Sequence, residues 1–390
     1  MMIAANLKET DTFVTYGVLH TTKSSDGYFK SLKVYFKHIC RFYFSPFFDH
    51  KIIIMKRIKK TFFVSIILGS WACSNSSDSG IHQHKRDNII NVKSDIKEIE
   101  VEDVLVGSIA RLYLVDNYLV IADHKSADKL IHIFDKDDFN YLTSIADIGQ
   151  GPGEITVIGH IEEDKNNRAF LVSDHGKQKI FSYNLDSVLT VPSYMPGEKV
   201  RMDKSAFPHV YKFMNDSLSI GLFIKPIGTN DFAQSVSKWN MLTGDVETLS
   251  QEHPEIKKKR VNFAVSENKG LFVECYAYDD LMTIYTLDGN LQSHIYGPNW
   301  GERTSARIPY YRKVAFCGDY IFATYAGENH SQEDHIPTKF IVFDTSGHYI
   351  KTIETEHKIA DFCYDEANDR IILNLDSEIQ FAYMDLDALI

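Results

Sequence analysis

Tyr320-Ile-Phe-Ala-Thr-Tyr325, Phe340-Ile-Val-Phe-Asp344 and His348-Tyr-Ile-Lys-Thr-Ile353 are three runs of aromatic and β-branched residues, the last two joined through Asp344-Thr-Ser-Gly347. Runs of this kind read as strands, and an Asx-to-Gly connection is hairpin chemistry. Asp and Asn tolerate the left-handed backbone of a tight turn, and Gly adopts it without steric cost. The first run has five counterparts: Tyr118-Leu-Val-Ile-Ala-Asp123, Ala169-Phe-Leu-Val-Ser-Asp174, Ser217-Leu-Ser-Ile-Gly-Leu222, Gly270-Leu-Phe-Val-Glu-Cys275 and Arg370-Ile-Ile-Leu-Asn-Leu375. Anchored on Leu119, Phe170, Leu218, Leu271, Ile321 and Ile371, the steps are 51, 48, 53, 50 and 50 residues. A second run follows each anchor and closes on an aromatic within two residues of an Asp or Asn, as in Ile131-His-Ile-Phe-Asp135 and Ile180-Phe-Ser-Tyr-Asn184. With one strand before the anchor and one after the hairpin, the unit is four strands in about 50 residues. That unit is a propeller blade, and six of them close a ring. The expected fold is therefore an all-β, six-bladed β-propeller over residues 99–390. A β-sandwich would not explain six equal steps. The ring is expected to close through the segment Ile89–Val101, which adds a strand to the last blade and removes an open edge.

Composition agrees with this reading. Of 390 residues, 44% are hydrophobic and 13% aromatic, with 21 Tyr and 25 Phe, a balance that suits strands. Residues 1–72 hold 11 Lys+Arg against 4 Asp+Glu, which leaves 31 against 49 in residues 73–390, a net of -18. So acidic a surface repels phosphate backbones and speaks against a nucleic-acid partner. The five cysteines form no CxxC pair, so neither a redox motif nor a zinc site is indicated. Cys275, Cys317 and Cys363 sit at strand positions and read as small buried hydrophobes.

The start of the chain carries an address. Met55-Lys-Arg-Ile-Lys-Lys60 precedes the apolar Thr61-Phe-Phe-Val-Ser-Ile-Ile-Leu-Gly-Ser-Trp-Ala72, then Cys73. A basic segment, a short apolar one and a small residue before the cut make an export signal, too short to span a bilayer. Residues 55–72 are thus expected to be a lipoprotein-type signal peptide, Cys73 the lipid-bearing residue and 73–98 a polar tether. Residues 1–54 fit neither a signal nor a domain and read as a non-native or mis-assigned extension, with translation expected to begin at Met55. The expected location is the outer membrane or periplasm.

Asp147-Ile-Gly-Gln-Gly-Pro-Gly-Glu154 follows the first blade. With the blade repeats and the signal, this turn makes the chain resemble the TolB-like six-bladed β-propeller lipoproteins of bacteria, matching their pattern at Gly149, Gly151, Pro152, Gly153 and Glu154. The resemblance implies the propeller fold and an exported, anchored protein. A phosphate-loop reading of the same residues fails, because Glu154 stands where the fingerprint needs Gly and Pro152 lacks an amide donor. The turn reads instead as a tight passage from blade one to blade two, with Glu154 bonding backbone amides.

No HExxH and no Gly-x-Ser-x-Gly occurs, so neither a zinc hydrolase nor a nucleophile elbow is indicated. Function then falls to the central channel, lined by the innermost strands near Ser108–Leu114, Val157–Ile161, His209–Met214, Arg260–Val265, Tyr311–Phe316 and Lys358–Tyr364. The polar candidates there are Arg111, His160, Lys212, Asn262, Arg312 and Asp361. One carboxylate and one amide among cations suit an anion better than calcium, which wants about six to eight oxygen ligands. Tyr276, Tyr278, Trp300, Tyr310 and Tyr311 read as covers for the seams between blades, or as sugar-stacking platforms. Lys257-Lys-Lys-Arg260 reads as a solvated inter-blade loop. The expected function is a non-enzymatic binding or scaffolding module for an envelope protein or glycan, with no cofactor and no metal. A lactonase- or lyase-like enzyme with a channel active site is the alternative.

Overall fold

The computed structural model describes residues 80–301, 308–327, 336–387 and 389. The segments read as extension, signal peptide, Cys73 and the first part of the tether lie outside these residues. Six separate sheets follow one another along the chain, each with four antiparallel strands, the first innermost, and blades four and five carry a fifth, parallel strand outside. The inner strands are Arg111–Val115, Ile158–Asp164, Phe207–Asn215, Val261–Ser266, Tyr311–Cys317 and Ile359–Asp365.

Each anchor run is the second strand of its blade. Ala169–Asp174 and Arg370–Leu375 are buried along their whole length, because neighbouring blades cover both faces. This explains why the anchors read as continuous apolar runs rather than as alternating ones. The core lies in the seams. Between blades five and six, Phe322 and Phe340 pack with Phe362 and Leu373. Between blades six and one, Ile372 and Phe381 pack with Leu112 and Ile121. Cys275 and Cys317 are buried and Cys363 partly so, all three unpaired, as small apolar side chains would be. One helical turn and a half, Leu185–Thr190, interrupts the β pattern in blade two, capped by Asn184, whose side chain accepts the Ser187 amide at 2.9 Å.

The ring closes as expected, but over a shorter stretch. Lys97–Glu98 pairs antiparallel with Phe381–Asp385, and the Ile99 amide bonds the Phe381 carbonyl at 2.8 Å. Ile89–Asn91, read as part of that closing strand, lies parallel to Tyr349–Glu354 on the outside of blade five. Gly80–His82 does the same to Leu291–Tyr296 of blade four. Residues 80–98 therefore form a strap over the rims of three blades, whereas the sequence reading made 73–98 a polar tether of which only the part from Ile89 joins the ring. Strands of two and three residues are too short to leave a period.

Arg86 is what pins the strap. Its guanidinium lies 3.1 Å from Asp280 Oδ1, with the two side chains 7% and 0% exposed. It also donates to the Tyr311 hydroxyl at 2.9 Å and to Gln83 Oε1 at 3.0 Å. The Tyr311 and Tyr325 hydroxyls in turn donate to Asp280 at 3.1 and 3.0 Å. Tyr276, Tyr310 and Tyr311 are thus seam residues, and Tyr278 alone of the four tyrosines expected near the loops is exposed. The basic run is not simply solvated either. Lys259 reaches the buried Glu274 at 2.6 Å, and the Arg260 guanidinium lies 3.8 Å from the centre of the Phe232 ring.

Removing one member of a buried ion pair leaves the other uncompensated, at a cost of about 3–5 kcal/mol. Arg86→Ala is accordingly expected to lower the unfolding free energy by about that much in a denaturant titration. Lys85→Ala, at an exposed position one residue earlier, should change it by less than about 0.5 kcal/mol. Equal effects from the two substitutions would mean that the strap is not held by the Arg86 network.

Candidate functional site: the central channel

Four of the six inner strands are irregular at the end where the chain enters the channel. The ladder to the second strand skips Gly159 and His160 in blade two, His209 in blade three, Arg312 and Lys313 in blade five, and Ala360 in blade six. Extra residues of this kind re-aim side chains, and they gather beside functional sites. Here they turn polar groups towards the axis at one end, called the mouth. The opposite end carries the hairpins that leave the inner strands.

A cavity of about 320 Å³ occupies the mouth. Arg111, His160, Asn262, Arg312 and Asp361 line it, five of the six residues singled out from sequence. Lys212 lines a second cavity of about 610 Å³ on the hairpin side, and His160 borders both. The sequence reading missed Lys313, His209 and Gln234, which also face the mouth. A signal for one of these existed: Pro208 precedes His209 at a strand start, where Pro marks a bulge.

The mouth is cationic. Among the described residues that line it Asp361 is the one carboxylate, and both its oxygens are engaged, by Lys313 Nζ at 2.6 Å and by the Leu112 amide at 2.7 Å. Among the described residues, no carboxylate lies within 4.0 Å of the Arg111 or Arg312 guanidinium. Lower in the channel the charges balance. Lys212 Nζ sits 2.6 Å from Glu162 Oε1, and His160 Nε2 lies 2.8 Å from the Tyr211 carbonyl and 3.3 Å from Glu162 Oε2. Burial opposes ionisation of Glu162, yet Lys212 and His160 hold its carboxyl below the usual range.

Two further histidines stand behind the mouth. His124 and His175 follow the second strands of blades one and two, in the dipeptides Asp123-His124 and Asp174-His175, one repeat step apart. In each pair the aspartate staples loop amides. Asp123 accepts from Gly107 and Lys125 at 2.8 and 2.9 Å, and Asp174 accepts from Thr156 and Gly176 at 2.9 Å each. The staples fix where the imidazoles lie. His175 packs on Gly159, where a side chain would overlap its ring, and its ring centre is 6.0 Å from that of His209. Nε2 of both His124 and His175 is buried without a hydrogen-bond partner among the described residues. Burial, then the charge of Arg111, pushes His124 and His209 down to about 4, and lowers His175 for the same two reasons.

Beside this rim lies the turn quoted from sequence. Glu154 Oε2 accepts the Gly151 amide at 2.6 Å, as expected, and Lys177 Nζ bonds the Gly151 and Glu154 carbonyls at 2.8 Å each. The carboxylate curls back so far that a side chain at Gly149 or Gly151 would collide with it, and Gly153 has φ +77°. The motif is a passage between blades that shapes the rim.

Buried neutral histidines make stability depend on pH. Unfolded, His124 and His209 take their ordinary value near 6.5, so the unfolded chain binds more protons below it. Stability should therefore fall as pH drops from about 6.5 to about 4, by on the order of 2–3 kcal/mol per histidine, and this loss should stop below about 4. Denaturant titrations at pH 7 and 4.5 check this. The double variant His124→Asn/His209→Gln should lose clearly less stability than the wild type, and equal losses would contradict the assignment.

No curated protein matches the chain. Solved structures similar to it include a candidate exported protein of Bacteroides fragilis, 15% identical over 76% of this chain and 88% of that one, with a TM-score of 0.49. A duf4221 family member of Bacteroides vulgatus is 10% identical over 75% and 98%, with a TM-score of 0.47. A gluconolactonase of Xanthomonas campestris is 14% identical over 68% and 81%, with a TM-score of 0.43. The family model described as 6-bladed beta-propeller matches residues 100–322, more than half of the chain. With that match and six blades in the structure, the chain belongs to the DUF5128 family of six-bladed β-propellers.

Proposed function

We propose that this propeller is an exported, non-enzymatic binding module that takes a small anionic ligand, such as an acidic sugar of the envelope, in the mouth of its channel. One observation carries the reading. Arg111, Arg312 and Lys313 face a single cavity where the one carboxylate among the described lining residues is already engaged, within a region whose net charge is -18 from 31 basic and 49 acidic residues. A cationic hollow in an acidic surface focuses field lines and draws anions inward. About 320 Å³ is at the small end of ligand sites, enough for a monosaccharide-sized guest rather than a protein loop.

The lactonase- or lyase-like reading has less support. A divalent cation in the mouth would have to displace Lys313 from Asp361 and lie among three cationic side chains. The amides are partly committed as well, since Asn262 Nδ2 donates to the Tyr311 carbonyl and Gln234 Oε1 accepts the Val261 amide, each at 2.9 Å. Export and a lipid on Cys73 rest on the Met55-to-Cys73 signal and on the resemblance to TolB-like lipoproteins. The basic-apolar-Cys order is what supports them.

Hydrogen bonds to a charged group contribute about 1.5–3 kcal/mol each, so losing one guanidinium weakens binding roughly 10- to 100-fold. Titration of D-galacturonate into Arg111→Ala and Arg312→Ala should show losses in that range, and wild-type affinity should fall as salt screens the charges. Unchanged affinity in both variants would place the ligand elsewhere, and stoichiometric calcium with a lactonase activity would favour the enzyme.

Expressed from Met55, the protein should fractionate with membranes, and Cys73→Ala should release it in a soluble, exported form. A lipid chain contributes about 0.8 kcal/mol per buried methylene, so its loss removes the anchor. Wild-type protein found soluble would overturn the lipidation reading.

A further inference from the structure

Arg111 is crowded by imidazoles rather than by carboxylates. His160 and His209 share its cavity, and His124 and His175 stand behind it on the loops of blades one and two. The arrangement comes from backbone features already described. Bulges aim His160 and His209 at the axis, and the Asp123 and Asp174 staples set the loop histidines. Four ionisable rings around one guanidinium, two of them with a buried ring nitrogen that lacks a partner, suit a ligand that brings negative charge with it.

We infer that the mouth takes its anion together with protons, His209 foremost and the loop histidines behind it, so that an acidic sugar is held more tightly as the surroundings acidify. The inference rests on the anion reading above and adds the linkage between ligand and proton.

The groups facing His209 give the sign. Arg111 from blade one and Arg312 with Lys313 from blade five are positive, and neighbouring His160, His175 and His124 would be positive once protonated. Against them stand Asp361, bound to Lys313, and the Asp123 and Asp174 carboxylates, turned to backbone amides. Burial and Arg111 hold His209 and His124 down at about 4. A bound carboxylate leaves the burial in place but offsets the charge of Arg111 and attracts the protonated rings, and so raises them part of the way towards 6.5. Between those values binding draws protons in, and affinity rises as pH falls through the window. At pH 5.5 and above the ligand carboxylate itself stays ionised.

Calorimetric titration of the wild-type protein with D-galacturonate at pH 5.5 and 7.5, each in two buffers of different ionisation enthalpy, tests this directly. The expected result is net proton uptake at pH 5.5, none at 7.5, and affinity about tenfold higher at the lower pH. Neutral D-galactose should show neither effect. His209→Gln should flatten the pH dependence. His124→Asn, which does not line the cavity, should weaken it in part and guards against a misfolded first variant. Galacturonate bound equally at both pH values without proton uptake overturns the linkage and leaves the anion site standing. No galacturonate binding at either pH sinks the anion reading, and the linkage with it.

Discussion

The backbone bonds between Lys97–Ile99 and the strand Phe381–Asp385 are the constraint on which everything else depends. A propeller of six sheets has no covalent reason to be a ring. Joining residues 97–99, just before blade one, to its last strand makes blade six a neighbour of blade one, and the seam is then filled by Leu112, Ile121, Ile372 and Phe381. Side chains reinforce the joint, with Asn374 Nδ2 bonding the Ala110 carbonyl at 2.8 Å and Gln380 Nε2 the Val106 carbonyl at 3.0 Å. Closure is also what brings Asp361 of blade six to the Leu112 amide of blade one, and so removes the one carboxylate among the mouth's described residues from competition for Arg111. The electrostatic character of the site is in this sense a product of topology.

Within the ring, register breaks fall in two main places, where the channel opens and between the outer two strands of four blades. Second strands are buried and regular, whereas inner strands break register in four blades at residues that face the axis. The scaffold thus offers rigid walls and variable positions at one end. Stapling aspartates supply the rest of the precision. Asp123 and Asp174 each tie the second strand of a blade to the loop that enters its inner strand, and Asp280 does comparable work for the strap by holding Arg86.

The six anchors were legible because second strands are buried on both faces, and burial leaves long apolar runs at equal steps. The channel was legible in outline, since a repeat of known step transfers one strand assignment to the other five. Two things were hidden. The strap could not be seen in residues 80–98, because its pairs are two or three residues long and depend on edges presented by blades four to six. The histidine cluster was hidden for another reason. Asp123-His124 and Asp174-His175 recur at the repeat step, but only the bulges at His160 and His209 bring those loops and strands to one guanidinium. Alternation along a strand does not predict a bulge, although Gly159 and Pro208 mark where two of them fall.

The central claim is that the mouth of the channel is an anion site built on Arg111 and Arg312. Anomalous diffraction from crystals soaked in selenate tests it most directly, because selenium reports the position of the anion without reliance on shape. The account predicts a selenium peak in the mouth, within hydrogen-bond reach of both guanidiniums and near His209. Selenate found only on the outer surface, with the mouth instead holding a metal coordinated by Asp361, would contradict it.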